Sequence, residues 1–308
     1  MADLTVELAP RHKSGLRLKN PVIAASGTFG YGVEYTPLMD IERLGAIASK
    51  GITWRRRVGN QQPRIVETPA GMLNSIGLQN PGVHGVIKEK APIWAQWDVP
   101  VIANVAGFTY DEFVRMAAAF DGVPGIAALE LNISCPNTEE GGMEFGCDPV
   151  LAAAVTRGVK QATALPIIVK ITPNMGDVPG QAQAVADAGA DAITVMNTLL
   201  GMVIDTRRRR PAIPRGSAGL SGPAIKPIAL HVVYQVAGAV DVPIIGCGGI
   251  TTAADALEFL MAGAVAVQVG TANFVDPQAM LHVIDGIDAF LDAAGEKSVG
   301  DIVGVARQ

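Results

Sequence analysis

Eight short apolar runs recur along this chain, each followed by a polar or glycine-containing loop and most by an alanine-rich stretch of helical periodicity. They lie at 22–25, 46–49, 101–105, 127–131, 167–171, 192–196, 243–246 and 265–269. Runs that are apolar without alternation mark strands buried on both faces, the environment of a parallel sheet covered by helices. Helices are expected over 34–44, 111–120, 149–161, 179–188, 224–237, 252–261 and 277–291. Eight such units in about 250 residues match a (β/α)8 TIM barrel. A doubly wound sheet is the alternative, but no Gly-x-Gly-x-x-Gly opens the first helix and no acidic residue follows at the required distance. Ahead of the barrel, alternation at 4–8 and 16–18 around Lys13-Ser14-Gly15 predicts an N-terminal β-hairpin. Segment 52–96 is too long for a simple connection and predicts inserted loops near the barrel mouth. With no linker or low-complexity stretch, residues 1–308 read as a single domain.

Hydrophobic residues make up 49% of the chain and charged residues 17%, enough for a sizeable core. The net charge of −5 argues against a nucleic-acid partner. The arginine clusters at 55–57 and 207–210 lack interleaved aromatics, so they read as solvated loops or small-anion contacts. The three cysteines, Cys135, Cys147 and Cys247, match no zinc spacing or disulfide framework. They are also fewer than the four thiolates usual for an iron–sulfur cluster. The first 19 residues carry charges and no apolar run, and no segment approaches the roughly 20 apolar residues that span a bilayer. The expectation is a cytoplasmic protein without a membrane partner.

A barrel carries its chemistry at the C-terminal ends of its strands. There the sequence places Ser26, Lys50-Gly51, Asn104, Asn132, Lys170, Met196-Asn197-Thr198, Gly248-Gly249 and Gly270-Thr271. Any one of these could be an ordinary strand-end polar group. Two lysines and three asparagines converging on one mouth need partners that a dry core would not provide. The glycines after strands seven and eight suit a phosphate held by backbone N–H groups and a helix start. A cation near the N1/C2=O edge of a flavin stabilises the reduced anionic ring, so Lys170 suits a flavin phosphate such as FMN.

The excursion contains Asn74-Ser75-Ile76-Gly77-Leu78-Gln79-Asn80. With Lys50, Asn132, Asn137 and Asn197 it reads as a surface for a small planar anion carrying amide groups. After the fourth run, Asn132-Ile-Ser-Cys-Pro-Asn137 sets Cys135 in a loop between two amides. Most free cysteines are buried structural thiols, whereas this one has polar neighbours and can act as base or nucleophile once deprotonated. The glycine-rich segment 138–148 reads as a lid or as an ordinary solvated loop.

Together with Gly219-Leu-Ser-Gly-Pro-Ala-Ile-Lys-Pro227 and Gly246-Cys-Gly-Gly-Ile250, these motifs resemble the class 1 dihydroorotate dehydrogenases from about Pro21 to Phe274. The resemblance implies FMN contacts at Ser26, Lys50, Gly51, Asn104, Asn132, Lys170, Met196, Gly222, Gly248, Gly249, Gly270 and Thr271. It implies substrate contacts at Lys50, at Asn74, Ser75, Ile76, Gly77 and Leu78, and at Asn132, Asn137, Asn197 and Thr198. Cys135 matches the base, which takes a proton from C5 of dihydroorotate while hydride leaves C6 for the flavin, giving orotate in pyrimidine biosynthesis. Class 2 enzymes use serine and a membrane-associating extension, and neither is read here.

The run 220–228 is more similar to class 1B than to the fumarate-using class 1A. Class 1B implies a homodimer joined to a second subunit carrying FAD and a [2Fe–2S] cluster, forming a heterotetramer that reduces NAD+. That division of labour agrees with the missing dinucleotide fingerprint and the few cysteines. The arginines at 207–210 depart from the pattern and are expected near the mouth, where they help dock that subunit. The competing readings are a flavin-free lyase or isomerase acting on a phosphorylated metabolite, a flavin barrel acting on tRNA uridine, and a uracil-directed relative.

Overall fold

The computed structural model describes residues 2–134 and 145–308. The chain opens with an antiparallel pair, β1 (Val6–Glu7) and β2 (Arg17–Leu18), in the expected hairpin. Strands β3 (Val22–Ala24) and β4 (Ala46–Ala48) follow. The excursion then contributes β5 (Ile65–Thr68), β6 (Gly71–Asn74), α1 (Val83–Glu89) and α2 (Ala91–Trp94). Regular alternation resumes with β7 (Val101–Val105), α3 (Tyr110–Phe120), β8 (Ala128–Asn132) and α4 (Pro149–Ala162). It continues through β9 (Ile167–Lys170), α5 (Val178–Asp187) and β10 (Ala192–Val195).

After β10 come four short strands: β11 (Leu199–Gly201), β12 (Ile204–Asp205), β13 (Arg210–Pro211) and β14 (Ala218–Ser221). The chain finishes with α6 (Lys226–Val236), β15 (Ile244–Cys247), α7 (Ala253–Met261), β16 (Ala266–Val269), α8 (Ala272–Val275) and α9 (Ala279–Ala294).

Strands β3, β4, β7, β8, β9, β10, β15 and β16 form a closed parallel barrel, β16 pairing back onto β3. Each of the eight sequence runs supplies one of them. Almost every residue of these strands is buried, because the lumen fills with side chains and the helices cover the outside. Helix starts follow local chemistry. The Thr109 hydroxyl accepts from the Glu112 N–H, and Asp148 accepts from Val150 and Leu151 ahead of a helix that opens on Pro149. Gly295, with φ of 74°, closes α9 in the left-handed conformation that glycine adopts without penalty.

One expected helix is absent. Residues 34–44 form turns and a 3-10 helix at Ile41–Arg43. Pro37 lacks an N–H, and the Asp40 carboxylate accepts from the Glu42 N–H, which starts a new turn instead of continuing an old one.

The excursion's hairpin β5–β6 pairs through β14 with β11, giving an antiparallel sheet in the order β11-β14-β6-β5. Leu73, Ile213 and Ala218 form a small apolar cluster within this sheet, separate from the barrel core. The register sets Asn74 opposite Gly219 and Met72 opposite Ser221. Among the described residues no helix is long and apolar enough to cross a membrane, and no cluster of His, Cys, Asp and Glu could hold a metal.

Candidate active site

The barrel mouth and the antiparallel sheet enclose a cavity of about 660 Å3. Its lining includes Ser26, Lys50, Gly51, Asn74 to Leu78, Asn132, Lys170, Met196, Asn197, Thr198, Gly222, Gly248, Gly249, Gly270 and Thr271. The structure therefore brings almost all the expected residues to one chamber. Asn104 is the exception: it is fully buried beneath the lining, and its Oδ1 has no partner among the described residues. A Cβ at Gly51 would stand 3.2 Å from that oxygen and 3.1 Å from Leu78, close enough that one of them would have to shift by a few tenths of an ångström. Cys135 and Asn137 lie outside the described residues, as does most of segment 138–148.

Beneath the mouth lies a polar network. Glu130 is completely buried in β8. Its Oε1 accepts from Asn104 Nδ2 at 2.7 Å, and its Oε2 accepts from Thr194 Oγ1 at 2.8 Å and from Gln268 Nε2 at 2.5 Å. Gln268 Oε1 in turn accepts from Lys170 Nζ at 2.7 Å, and that ammonium also reaches Cys247 Sγ at 3.7 Å. Burial alone would push Lys170 down, but the sulfur of Cys247 and the carboxylate of Glu130 outweigh it and raise its pKa. Burial pushes the Cys247 thiol up, against the pull of Lys170.

Lys50 differs. It is half-buried, and its ammonium has no hydrogen-bond or ion-pair partner among the described residues. Burial lowers its pKa, Glu34 counteracts and Arg64 adds to the lowering.

The amides line the same cavity and keep hydrogen-bonding groups unused among the described residues. Asn132 Oδ1 accepts from Asn197 Nδ2 at 3.2 Å, and Asn74 Nδ2 donates to the Gly219 carbonyl at 3.2 Å. Asn80 corrects an expectation. It is buried, accepting from the N–H groups of Thr53 and Gly82 and donating to Thr53 and the Leu78 carbonyl. Its amide holds the 74–80 loop in shape and has nothing left for a ligand.

On the opposite side, the backbone N–H groups of Gly248, Gly249, Gly270 and Thr271 have no acceptor among the described residues. A Cβ at Gly249, where φ is 74°, would stand 2.7 Å from the Lys226 nitrogen and 2.9 Å from the Gly222 carbonyl. Asp255 caps α7, accepting from Thr251, Thr252 and the Lys226 ammonium. Burial opposes the ionised form, yet these donors hold the carboxyl well below the usual carboxylate range.

Sequence reasoning missed Glu130, Thr194 and Gln268. Their signal was a single polar residue inside an otherwise apolar strand, at three separate strands. It also missed Asn174 and Arg215, which the turns after β9 and β13 bring to the lining. The arginines at 207–210 sit at the tip of the β12–β13 hairpin and are exposed.

Comparison with known proteins agrees with this geometry. The profile of the family described as dihydroorotate dehydrogenase matches residues 11–291. A protein of Desulforudis audaxviator named dihydroorotate dehydrogenase B (NAD(+)), catalytic subunit, is 52% identical over 96% of this chain and 96% of its own length. Proteins of the same name from Pelobacter propionicus and Desulforamulus reducens are 52% and 53% identical, covering 98% and 95% of this chain and 98% and 96% of their own. The chain belongs to the dihydroorotate dehydrogenase family.

Proposed function

We propose that the chain is the FMN-dependent catalytic subunit that oxidises (S)-dihydroorotate to orotate in pyrimidine biosynthesis, residues 1–308 forming one FMN-binding barrel domain. The observation that carries this reading is the pairing, in one chamber, of a buried charged lysine with a half-buried lysine that has no partner among the described residues. The residues fit FMN on features of their own. The unpaired N–H groups of Gly248, Gly249, Gly270 and Thr271 suit its phosphate, at a place where any side chain on Gly249 would collide. Lys170 suits the N1/C2=O edge of the ring, and Ser26, Lys50, Gly51, Asn104, Asn132, Met196 and Gly222 complete its seat.

Bound FMN supplies the two-electron acceptor for the hydride from C6. The chain's residues do the remainder. Lys50 pairs with the substrate carboxylate, and no group among the described residues uses its charge. Asn74, Asn132, Asn137 and Asn197, with Ser75 to Leu78 and Thr198, match the ring carbonyl and N–H groups. Cys135 is the base that accepts the C5 proton, a role carried by its motif. A thiol is acidic enough to work near neutral pH.

Electrons then pass to NAD+ through a partner subunit bearing FAD and [2Fe–2S], in a heterotetramer built on a homodimer. This is supported by the relatives' name, by the absence of a dinucleotide fingerprint and by a total of only three cysteines. The exposed arginines at 207–210 belong to the docking face.

The test is anaerobic. Dihydroorotate added to the purified chain should bleach the flavin. Neither fumarate nor NAD+ alone should reoxidise it quickly, and the iron–sulfur flavoprotein subunit should restore NAD+ reduction. Rapid reoxidation by fumarate would reassign the chain to the fumarate-using class, and a colourless folded protein would remove the flavin altogether. Cys135→Ser should slow the bleaching at neutral pH by about a thousandfold, the scale of losing a general base. A near-normal rate would remove Cys135 from the mechanism.

A further inference from the structure

Glu130 has no part in the chemistry proposed above, yet it is a fully buried carboxylate at the centre of the barrel. Isolated charges are expelled from such places unless paired or richly hydrogen-bonded. Its two oxygens take three donors, Asn104, Thr194 and Gln268, contributed by three different strands. The Gln268 amide then joins it to Lys170, with Nε2 toward the carboxylate and Oε1 toward the ammonium. This polarity is fixed by its neighbours, since an ammonium can only donate and a carboxylate accepts.

Two titratable groups face Lys170 among the described residues: Cys247 from β15 and Glu130 from β8. Burial raises the Cys247 thiol, whose sulfur meets the ammonium at 3.7 Å as a weak acceptor. Among the described residues, the one carboxyl group facing Lys170 is Glu130, joined to it through the Gln268 amide.

We propose that Glu130 is a positioning residue that, through Gln268, keeps Lys170 charged and aimed at the cavity, where Lys170 stabilises negative charge on a bound flavin ring. This rests on the FMN reading above. Glu130 itself does not touch the lining. A buried lysine that loses its counter-charge gives up its proton at lower pH, so the effect of Glu130 must be pH-dependent.

Sulfite is the probe, because it adds to a bound flavin to give an anionic reduced-type ring whose stability depends on nearby positive charge. The FMN-loaded protein and its Glu130→Gln, Gln268→Met and Lys170→Met variants are titrated with sodium sulfite from pH 6 to pH 9.5, each compared with wild type at the same pH. Lys170→Met sets the floor, weak at every pH. Glu130→Gln should match wild type near pH 6 and fall progressively behind it as pH rises, by about tenfold where the pH stands one unit above the lowered pKa of Lys170. Gln268→Met should fall in the same direction by a smaller factor.

A Glu130→Gln titration parallel to wild type at all pH values, or weaker by the same factor throughout, would overturn the proposal, since a merely structural carboxylate gives one of those results. If Glu130→Gln does not fold, Gln268→Met decides by the same criterion. A wild-type chain that retains no FMN would overturn the functional reading itself. FMN retention with pH-parallel variants would overturn this inference alone.

Discussion

Lys170 and Lys50 reach the same cavity from strand ends on two sides of the barrel, but their surroundings are opposite. Lys170 is fully enclosed, anchored to Gln268 and backed by Glu130, and its ammonium is favoured beyond that of an ordinary lysine. Lys50 is half-buried and has no partner among the described residues, and its ammonium is disfavoured. A cation completed by the protein is a fixture that conditions whatever lies beside it. A cation left incomplete is a binding site, because a ligand anion relieves the cost of its burial. The fold places the first at the end of β9, deep in the barrel, and the second just beyond β4, beneath the antiparallel sheet.

Several substitutions would break or sharpen this contrast, the largest first. Lys170→Met leaves Glu130 without a counter-charge and should destabilise the FMN-free chain by about 3–5 kcal/mol, the scale of breaking one side of a buried pair. Chemical denaturation measures it. The sign with pH follows from the raised pKa: the stabilisation is fully present below the ordinary lysine value of 10.5 and is lost only as pH rises through the higher folded value. The wild-type advantage should therefore stay constant from pH 6 to pH 9.

Lys50→Met should weaken orotate binding by about a hundredfold, roughly 2.7 kcal/mol. Wild-type orotate affinity should itself decline as pH rises through the lowered pKa of Lys50, below 10.5, a decline that Lys50→Met abolishes. The smallest effect has the opposite sign to that at Lys170. A folded pKa below the unfolded one means that the charged lysine favours the unfolded chain. Lys50→Met should thus raise the melting temperature of the ligand-free protein by roughly 1–3 °C, with the gain shrinking as pH approaches 10. A drop in melting temperature would show that Lys50 has a protein partner after all.

The barrel was legible because each strand is a local apolar run, and strands buried on both faces need no alternation to be recognised. The strand-end residues followed from the same register. The sheet over the mouth was not legible. Gly71–Asn74 pairs with Ala218–Ser221, and no local pattern announces a partner nearly 150 residues away. Asn80 was misread for a related reason: an amide in a Gly- and Pro-rich loop looks available until the loop closes around it. The 34–44 segment has helical composition, but Pro37 and the Asp40 turn override propensity. Glu130 stood in plain view as a charge inside a buried strand, and its meaning depended on Asn104, Thr194 and Gln268 arriving from other strands.

Titration of the FMN-loaded protein with orotate and with uracil, followed by the flavin absorbance change, tests most directly whether Lys50 awaits a carboxylate. Orotate should bind far more tightly than uracil to the wild type, and Lys50→Met should reduce orotate to the level of uracil. Equal affinity for the two in the wild type, or unchanged orotate binding in Lys50→Met, would contradict the assignment of Lys50 and with it the dihydroorotate specificity of the site.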